Sequence, residues 1–487
     1  MRSRLARLLL LLGPGMAGAD AAPTFTKDVA PILLENCAGC HRPGEVGPFP
    51  LLTYQDAAKR ADFLLDVTAG RRMPPWKPEP GFGDFHDARR LSDAQLRTVA
   101  DWVAAGAPEG DPKDLPPTPR FPEGWQLGTP DLVLEMPEGF AVPADGPDVQ
   151  RCFAIPIPIE ADRTVAAVEF RPGNRRVVHH AILYLAAAGS AREKDQADPG
   201  PGYASFGGPG VPPAGALGGW APGATPRRLP DGTGRMLRAG NDLILQVHYH
   251  PDGKPEVDRS VVGIYFTRAP VEKYVAGIAV RSRDIHIPAG EARHHVRAES
   301  APLPVDALAL GISPHMHNVG REMKVVAETP AGATIPLIWI KDWDFNWQGQ
   351  YQYAGPIRLP KGSILKVDAS YDNSAANPRN PSSPPRLVEW GEQTTDEMCL
   401  LGLQVTANST ADLMKIVRMR GNGLGAAVLG GAGFPIPQGL KGRLARFDTD
   451  GDGRLSAGEV DAMPEPARTR VREAIGVRTG GGGAEKP

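Results

Sequence analysis

The sequence predicts a multidomain protein with a small all-α domain, two antiparallel β-sandwich domains and a C-terminal helical hairpin. Its 487 residues exceed what one hydrophobic core normally holds. Glycine (57) and proline (51) are abundant while 41% of the residues are hydrophobic, a composition typical of a loop-rich β protein. Runs rich in Val, Ile and Leu, such as TVAAVEFRP, DLILQVHYH and SILKVDASYD, are separated by Pro and Gly and predict short antiparallel strands.

The N-terminus predicts an exported protein. Residues 1–22 read MRSRLARLLLLLGPGMAGADAA, in which basic residues, a leucine run and small residues follow one another as in a cleavable signal peptide. The apolar run is shorter than the ~20 residues of a membrane-spanning helix, and no later segment is long enough. We therefore expect a periplasmic or extracellular protein with no transmembrane span. The formal net charge of -2 lacks the basic excess of a nucleic-acid-binding protein.

Residues 23–112 are predicted to form the small α-helical domain, and they contain a haem-attachment motif. Cys37 and Cys40 are followed directly by His41, in the C-x-x-C-H pattern. Two thiols one helical turn apart can add to the two vinyl groups of a haem, and the adjacent imidazole then binds the iron. The alternative is a redox motif or half of a zinc site, but no second cysteine pair lies nearby. The segment is therefore predicted to be a cytochrome c domain with covalent haem c.

The sixth iron ligand is expected downstream of this motif. Met73, in GRRMPPW, is the only methionine between the motif and the following linker, and it is the predicted distal ligand. His86, in a Gly-rich loop, is the competing candidate. The segment LSDAQLRTVADWVAAGAP then predicts a closing amphipathic helix, with Ser92 or Asp93 near its cap and Gly106 just past its end.

The two β domains are predicted at residues 126–272 and 273–425, after a Pro-rich linker at residues 113–125. Little helix is expected before about residue 410. The histidines of this region are grouped in the segments VVHHAILYL, LQVHYH and SPHMHNVG. Such groups are candidates for metal ligands.

Strand geometry limits how these histidines can act together. Residues two apart in a strand point to the same face, so His315 and His317 can bind one metal from one side. Adjacent His179 and His180 can do so only at a strand end or a bulge, where both side chains can turn toward one point.

The ordered segments HHAILYL, LQVHYH, SPHMHNVG and TDEMCLLG resemble the copper type II, ascorbate-dependent monooxygenases, the family of peptidylglycine α-hydroxylating and dopamine β-monooxygenases. The resemblance covers roughly residues 126–425 and implies two jelly-roll-like sandwiches with two copper ions. It implies that His179, His180 and His248 hold the electron-supplying copper. It also implies that His315, His317 and Met398 hold the catalytic, oxygen-binding copper. Independently, a thioether beside imidazoles favours copper over zinc.

The chain also departs from this family. Three residues that hold the substrate carboxylate in the peptide-hydroxylating member are replaced by Ser313, Leu400 and Gly402, so peptidylglycine is a poor substrate candidate. Cys152 and Cys399 are the remaining cysteines of the four, and whether they form a disulfide is left open. A further group of histidines has no place in the family pattern and is interpreted as structural or surface residues: His250, His286, His294 and His295.

The segment at residues 430–480 contains FDTDGDGRLSAGEV, which matches the calcium-binding loop of an EF-hand, with Gly453 at the sharp turn. The alternative is a degenerate loop kept as a helical hairpin. The predicted calcium ligands are Asp448, Asp450, Asp452, Arg454 through its carbonyl, Ser456 and Glu459.

Together these features predict a copper-dependent monooxygenase that hydroxylates an organic small molecule with O2 and receives its electrons through the fused haem. An external redox donor to the haem is then required. One alternative is a non-catalytic haem and copper electron-transfer or copper-handling protein of the cell envelope. Another is an adhesion or scaffold protein in which the metals serve stability.

Overall fold

The computed structural model describes residues 22–121, 124–205, 208–391 and 393–419, with short pieces at 434–435, 445–447, 454–455 and 463–465. Its residues separate into two compact units. Unit 1 comprises the chain up to Trp76 and the segment Arg89–Phe121, and unit 2 comprises Lys77–Ala88 and the chain from Pro122 onward. Within the described part, no helix has both the length and the apolar character needed to cross a membrane. The predicted signal peptide lies almost wholly outside the described residues.

Unit 1 is helical. Its elements are a π-helical turn at Phe25–Val29, α1 (Ala30–Asn36), α2 (Tyr54–Ala58), α3 (Ala61–Ala69), α4 (Asp93–Ala104) and a 3-10 turn at Pro112–Asp114. Helix α4 begins as predicted, because the Ser92 hydroxyl accepts a hydrogen bond from the Gln95 N–H in a capping box. It ends before Gly106, whose φ of 84° places it in the left-handed region. Trp102 of α4 is fully buried against Phe25, in keeping with a packing role.

The segment Lys77–Ala88 belongs to unit 2, although the sequence predicts residues 23–112 as one domain. Glu79 N–H donates to the Trp339 carbonyl at 2.8 Å, and the Phe85 ring stacks on Tyr353 with centroids 5.1 Å apart. Phe85 is 6% exposed. Backbone pairing and aromatic burial against distant strands therefore decide where this segment lies. Neither produces a periodic hydrophobic pattern in the sequence of so short a segment.

The first β domain of unit 2 contains twelve strands among the described residues. They are β1 (Leu132–Glu135), β2 (Phe140–Val142), β3 (Val149–Pro156), β4 (Arg163–Arg171), β5 (Val178–Ala187), β6 (Tyr203–Ala204), β7 (Gly215–Trp220), β8 (Thr233–Leu237), β9 (Asn241–Tyr249), β10 (Glu256–Asp258), β11 (Val261–Phe266) and β12 (Lys273–Tyr274). They form sheets in the orders β1-β11-β4-β8-β12 and β6-β3-β9-β5-β7, with β2 and β10 paired separately. A short helix, α5 (Arg192–Ala197), follows β5.

The second β domain contains ten strands among the described residues. They are β13 (Ala276–Ser282), β14 (His286–Ile287), β15 (His294–Glu299), β16 (Ala307–His315), β17 (Gly320–Glu328), β18 (Thr334–Ile340), β19 (Tyr351–Leu359), β20 (Ile364–Tyr371), β21 (Val388–Glu389) and β22 (Cys399–Ala407). Its two four-stranded sheets have the orders β13-β22-β16-β19 and β15-β20-β17-β18, and β14 pairs with β21. Helix α6 (Thr410–Val417) follows, and β23 (Phe434–Pro435) pairs with β24 (Arg454–Leu455).

The described chain is thus mostly β, in several antiparallel sheets, as the sequence predicts for β-sandwich domains.

Strand β9 shows why such a domain can hold a buried polar group. One face, with Leu243 and Leu245, joins the main hydrophobic core of the first β domain. The other face, with Ile244, packs in a second cluster with Cys152 and Tyr203. Because both faces are covered, every residue of β9 is buried.

Candidate metal centres

Three histidines converge on the outer face of the first β domain. His180 on β5 pairs with His248 on β9, and the register shifts between Val178 and His180, so His179 is the extra residue of a β-bulge. Of the two arrangements that the sequence allows for adjacent histidines, a strand end or a bulge, the structure has the bulge. The bulge turns the His179 side chain toward the face that His180 and His248 share. The structure thus brings together three of the six predicted copper ligands, here named the first cluster.

The ring nitrogens of the first cluster are close enough to bind one ion. The Nδ1 atoms of His179 and His180 are 3.1 Å apart, and those of His180 and His248 are 3.4 Å apart. All three residues offer a nitrogen within 4.8 Å of the others. Nitrogens this close are arranged around one point, since a metal about 2 Å from each imidazole would fit between them.

Asp148 orients this cluster, and sequence analysis did not single it out. Its Oδ2 lies 2.7 Å from His248 Nε2 and its Oδ1 lies 2.8 Å from His250 Nδ1. Burial raises the pKa of Asp148, but the hydrogen bonds from His248 and His250 outweigh it and hold the pKa at about 2. The ionised carboxylate accepts the His248 Nε2–H, which leaves Nδ1 as the free donor atom. Carboxylates commonly orient metal-binding histidines in this way.

Burial favours the neutral forms of His179 and His180. Burial, together with the neighbouring His248, lowers the pKa of His179 to about 4. Burial likewise holds the pKa of His180 well below its usual range. Neutral imidazoles can bind a metal at neutral pH without first losing a proton.

His315 and His317, here named the second pair, lie at the end of β16 in the second β domain. Their ring centroids are 5.1 Å apart. His315 Nδ1 donates to Gln348 Oε1 at 2.6 Å, and His317 Nδ1 donates to the Asp396 carbonyl at 3.1 Å. Both Nδ1 atoms are thereby protonated, and Nε2 of each ring is free to bind a metal. Burial lowers the pKa of His315 to about 3 and lowers that of His317 as well.

Met398 lies directly before β22, beside the second pair. His315 pairs with Leu400 across β16 and β22. If this antiparallel pairing continued for two more residues, Met398 would lie opposite His317. The Met398 carbonyl accepts a hydrogen bond from the Tyr371 hydroxyl at 2.8 Å. The third predicted ligand of this site is therefore held on a segment that runs beside the two histidines.

Glu397 joins the two segments of this second site. It is fully buried, and its two carboxylate oxygens accept four backbone N–H groups, from His317, Val319, Gly320 and Met398, at 2.8–3.1 Å. Burial raises the pKa of Glu397 to about 8, while the four N–H donors act in the opposite direction. The sequence offered one signal for this residue, its position directly before Met398 in TDEMCLLG.

The loop at residues 341–350, between β18 and β19, contacts both groups of histidines. The Phe345 ring lies 6.3 Å from that of His179 and 5.7 Å from that of His317, measured between centroids. The ring centroids of His179 and His317 are therefore at most about 12 Å apart. Gln348 of the same loop orients His315, and the Trp343 indole donates to the His317 carbonyl at 3.1 Å. One loop thus shapes both sites.

In unit 1, His41 is oriented for iron ligation. His41 Nδ1 donates to the Phe49 carbonyl at 3.0 Å, which leaves Nε2 free. Cys37 and Cys40 are not joined in a disulfide, and they lie in a tight turn in which Cys40 N–H donates to the Cys37 carbonyl at 3.1 Å. Beside His41, the Phe49 ring contacts Phe63, which is 51% exposed. Two cysteines outside any disulfide, a free Nε2 and an uncovered apolar surface fit a covalently bound porphyrin.

Gly47 is expected to be essential for this arrangement. A Cβ at residue 47 would lie 2.7 Å from the Cys40 carbonyl oxygen and 2.9 Å from His41 Nδ1. Gly47→Ala should therefore displace His41 and cause a several-fold loss of attached haem, measured by haem absorption per protein. Gly39→Ala is the matched control, because a Cβ at Gly39 meets nothing within 4 Å. Equal haem content in both variants would contradict the prediction.

The two candidate distal ligands lie in different units. Met73 is in unit 1, half-buried just after α3, and its N–H donates to the Val67 carbonyl at 3.0 Å. His86 is in unit 2, exposed, and its N–H donates to the Gln352 carbonyl of β19 at 2.9 Å. Met73 therefore remains the predicted ligand within the unit that carries the motif.

The predicted calcium site falls almost entirely outside the described residues. The residues outside are Asp448, Asp450, Asp452, Ser456 and Glu459. The backbone of Arg454 is described, in β24. The calcium site therefore stays a prediction.

The structure also shows the surroundings of the remaining cysteines and histidines of the sequence analysis. Cys152 and Cys399 are both buried free thiols, so they do not form a disulfide here. The interpretation of the remaining histidines as surface or structural residues is confirmed, since each has a carboxylate neighbour on the surface strands or loops. The pairs are His250 with Asp148, His286 with Glu389, His294 with Glu291 and His295 with Asp368.

Comparisons with known proteins do not assign a family. No protein-family model matches the chain, and no curated protein matches it. Similar solved structures include infectious bursal disease virus Gx strain, at 10% identity over 61% of this chain and 74% of that chain, with a TM-score of 0.16. The PBSX exported protein XepA matches at 7% identity over 49% of this chain and 86% of that chain, with a TM-score of 0.15. Likenesses this weak carry no argument.

Proposed function

We propose that this chain is a copper-dependent monooxygenase of the copper type II kind that hydroxylates an organic substrate with O2. The observation that carries the proposal is the convergence of His179, His180 and His248 in a bulge, with the second pair nearby across Phe345. Three imidazoles whose nitrogens lie within 4.8 Å of one another suit copper or zinc, and the predicted thioether of Met398 favours copper.

In this proposal His179, His180 and His248 hold one copper, and His315, His317 and Met398 hold the other. Bound copper would supply one-electron transfer and dioxygen activation. The overall reaction inserts one oxygen atom into a C–H bond and releases the other as water, and it consumes two electrons and two protons. We propose that haem c, which Cys37 and Cys40 would attach and His41 and the predicted distal ligand Met73 would ligate, would supply one-electron transfer from an external redox donor.

The protein's own side chains would serve this chemistry in defined ways. Asp148 and Gln348 hold imidazoles in the tautomers that expose their metal-binding nitrogens. Glu397 holds the His317 and Met398 segments together. The Phe345 ring lies between His179 of the first cluster and His317 of the second pair. We further propose that the chain is exported to the periplasm or the extracellular space, and that the C-terminal hairpin binds calcium.

The first experiment is metal and haem analysis of the mature protein, comparing the wild type with Met398→Leu. Two coppers and one haem per chain are expected for the wild type. The substitution keeps the volume but removes the thioether, and it should weaken one copper by about 10–100-fold, the range seen when the surroundings of metal ligands are changed. Met414→Leu, on α6, is the matched control and should bind both coppers normally. Haem without copper, or zinc in its place, would overturn the proposal.

The product of turnover separates this function from a non-catalytic electron carrier or copper-handling protein. Oxygen consumption coupled to a hydroxylated organic product supports the monooxygenase. Reversible reduction of haem and copper without any product would support the carrier.

A further inference from the structure

The outer face of the sheet β13-β22-β16-β19 continues away from the second pair. Along β16 and β22, His315 pairs with Leu400, Ser313 with Gly402 and Gly311 with Gln404. Alternate residues of a strand share a face, so Ser313, Gly402 and Gln404 follow His315 on the same side. His315 and Gly311 are four residues apart, ~13 Å at the usual rise of a strand.

The middle of this face is open. A Cβ built on Gly402 would meet, within 4 Å, only atoms of Ser313, at 3.7 Å. Ser313 and Gly402 are both half-buried. The φ of Gly402 is not among the left-handed values of the described chain, so its backbone does not require glycine. Small side chains thus leave a shallow trough, here named the 313–402 trough, between His315 and Gln404.

Gln404, at the far end of the trough, lines a cavity of about 470 Å³ whose lining contains cationic and amide groups but no carboxylate. Gln404 and Gln352 line it from the sheet, and Arg227 and Arg228 line it from the loop before β8. Arg227 is paired with Asp87. Arg228 is exposed, lies over the Tyr265 ring at 5.0 Å, and has no salt bridge to a carboxylate within the described part of the chain. This volume is in the range of small-molecule sites.

Gln404 is oriented to donate into this cavity. Its Oε1 accepts a hydrogen bond from Arg235 at 2.8 Å, so its Nε2–H groups are left for another acceptor. Burial lowers the pKa of Arg235 to about 10, and no carboxylate acts against that shift. Among the described residues, Arg235 forms no ion pair with a carboxylate, so its positive charge beside Gln404 adds to the charge of Arg228.

We infer that the substrate is an extended organic carboxylate, whose acid group binds at Gln404 and Arg228 and whose chain lies in the 313–402 trough toward His315. This inference rests on the proposed function, because His315 is a predicted copper ligand. It names the substrate class that the sequence left open. The positive charge near Gln404 favours the acid group of the substrate. The trough favours a narrow chain about as long as the distance from Gln404 to His315.

Binding of decanoate to the full-length protein tests this inference, with decylamine and decanamide as matched probes, measured by titration calorimetry. Decanoate is expected to bind, and decylamine is not. Arg228→Ala should weaken decanoate binding by about tenfold or more, as expected for loss of a charged hydrogen-bonding partner. Gly402→Leu should also weaken binding, because the added side chain fills the trough. Arg268→Ala is the control, since Arg268 is exposed and pairs with Asp131 in the first β domain.

Equal binding of decanoate and decanamide, or an unchanged affinity in Arg228→Ala, would overturn the inference. Should Gly402→Leu fail to fold, the Arg228→Ala measurement decides alone. Because binding is measured without turnover, the outcome is separate from the test of the proposed function.

Discussion

Glu397→Gln is expected to abolish metal binding at the second site and to destabilise the second β domain. The carboxylate accepts four buried N–H groups, two on each oxygen. Glutamine replaces one oxygen with an NH2 group, which cannot accept, so two N–H groups lose their acceptor. The expected loss is about 1–3 kcal/mol for each buried donor left unpaired. Chemical denaturation and copper content per chain measure the two effects.

Glu169→Gln is the matched control for this substitution. Glu169 is a buried carboxylate of the first β domain that accepts hydrogen bonds from the Gln126 and Leu127 N–H groups and the Tyr265 hydroxyl. Its replacement should lower stability but leave both metals bound. If Glu397→Gln retained both coppers, Glu397 would serve stability alone and not the position of His317 and Met398.

His248→Ala is expected to have the largest effect on the first cluster. His248 is 1% exposed and lies between Asp148 and the Nδ1 of His180. No neighbouring side chain can reach its position unless β9 moves. Replacing a residue that hydrogen-bonds to a metal ligand lowers the metal affinity by about 10–100-fold. Loss of a ligand itself should therefore lower the affinity by at least about 100-fold. Product formation should fall with metal content at this site.

His250→Ala is the control. His250 contacts the same carboxylate from an exposed position, with 67% of its side chain accessible. Its removal should leave the metal content unchanged. Loss of metal in His250→Ala, or retention in His248→Ala, would show that the convergence of the three histidines does not reflect a metal site.

Much of the fold could be predicted because its signals are local. Alternating runs such as TVAAVEFRP predict strands from neighbouring residues alone. In the structure this run lies in β4, which spans Arg163–Arg171. The capping box that begins at Ser92 is likewise contained in four consecutive residues. Neighbouring strand residues point to opposite faces, so His179 and His180 could act together only at a strand end or a bulge, and the structure has the bulge.

The amino-acid sequence by itself determined the order of the candidate ligands, the haem-attachment motif and the β character of the chain, because spacing and periodicity are properties of neighbouring residues. Only the tertiary structure decided which groups orient those ligands. Asp148 reaches His248 across 100 residues of chain, and Glu397 reaches His317 across 80. Phe345 comes to stand between the two sites from a loop with no distinguishing pattern. Such contacts form only when sheets pack, and packing follows from burial across the whole molecule.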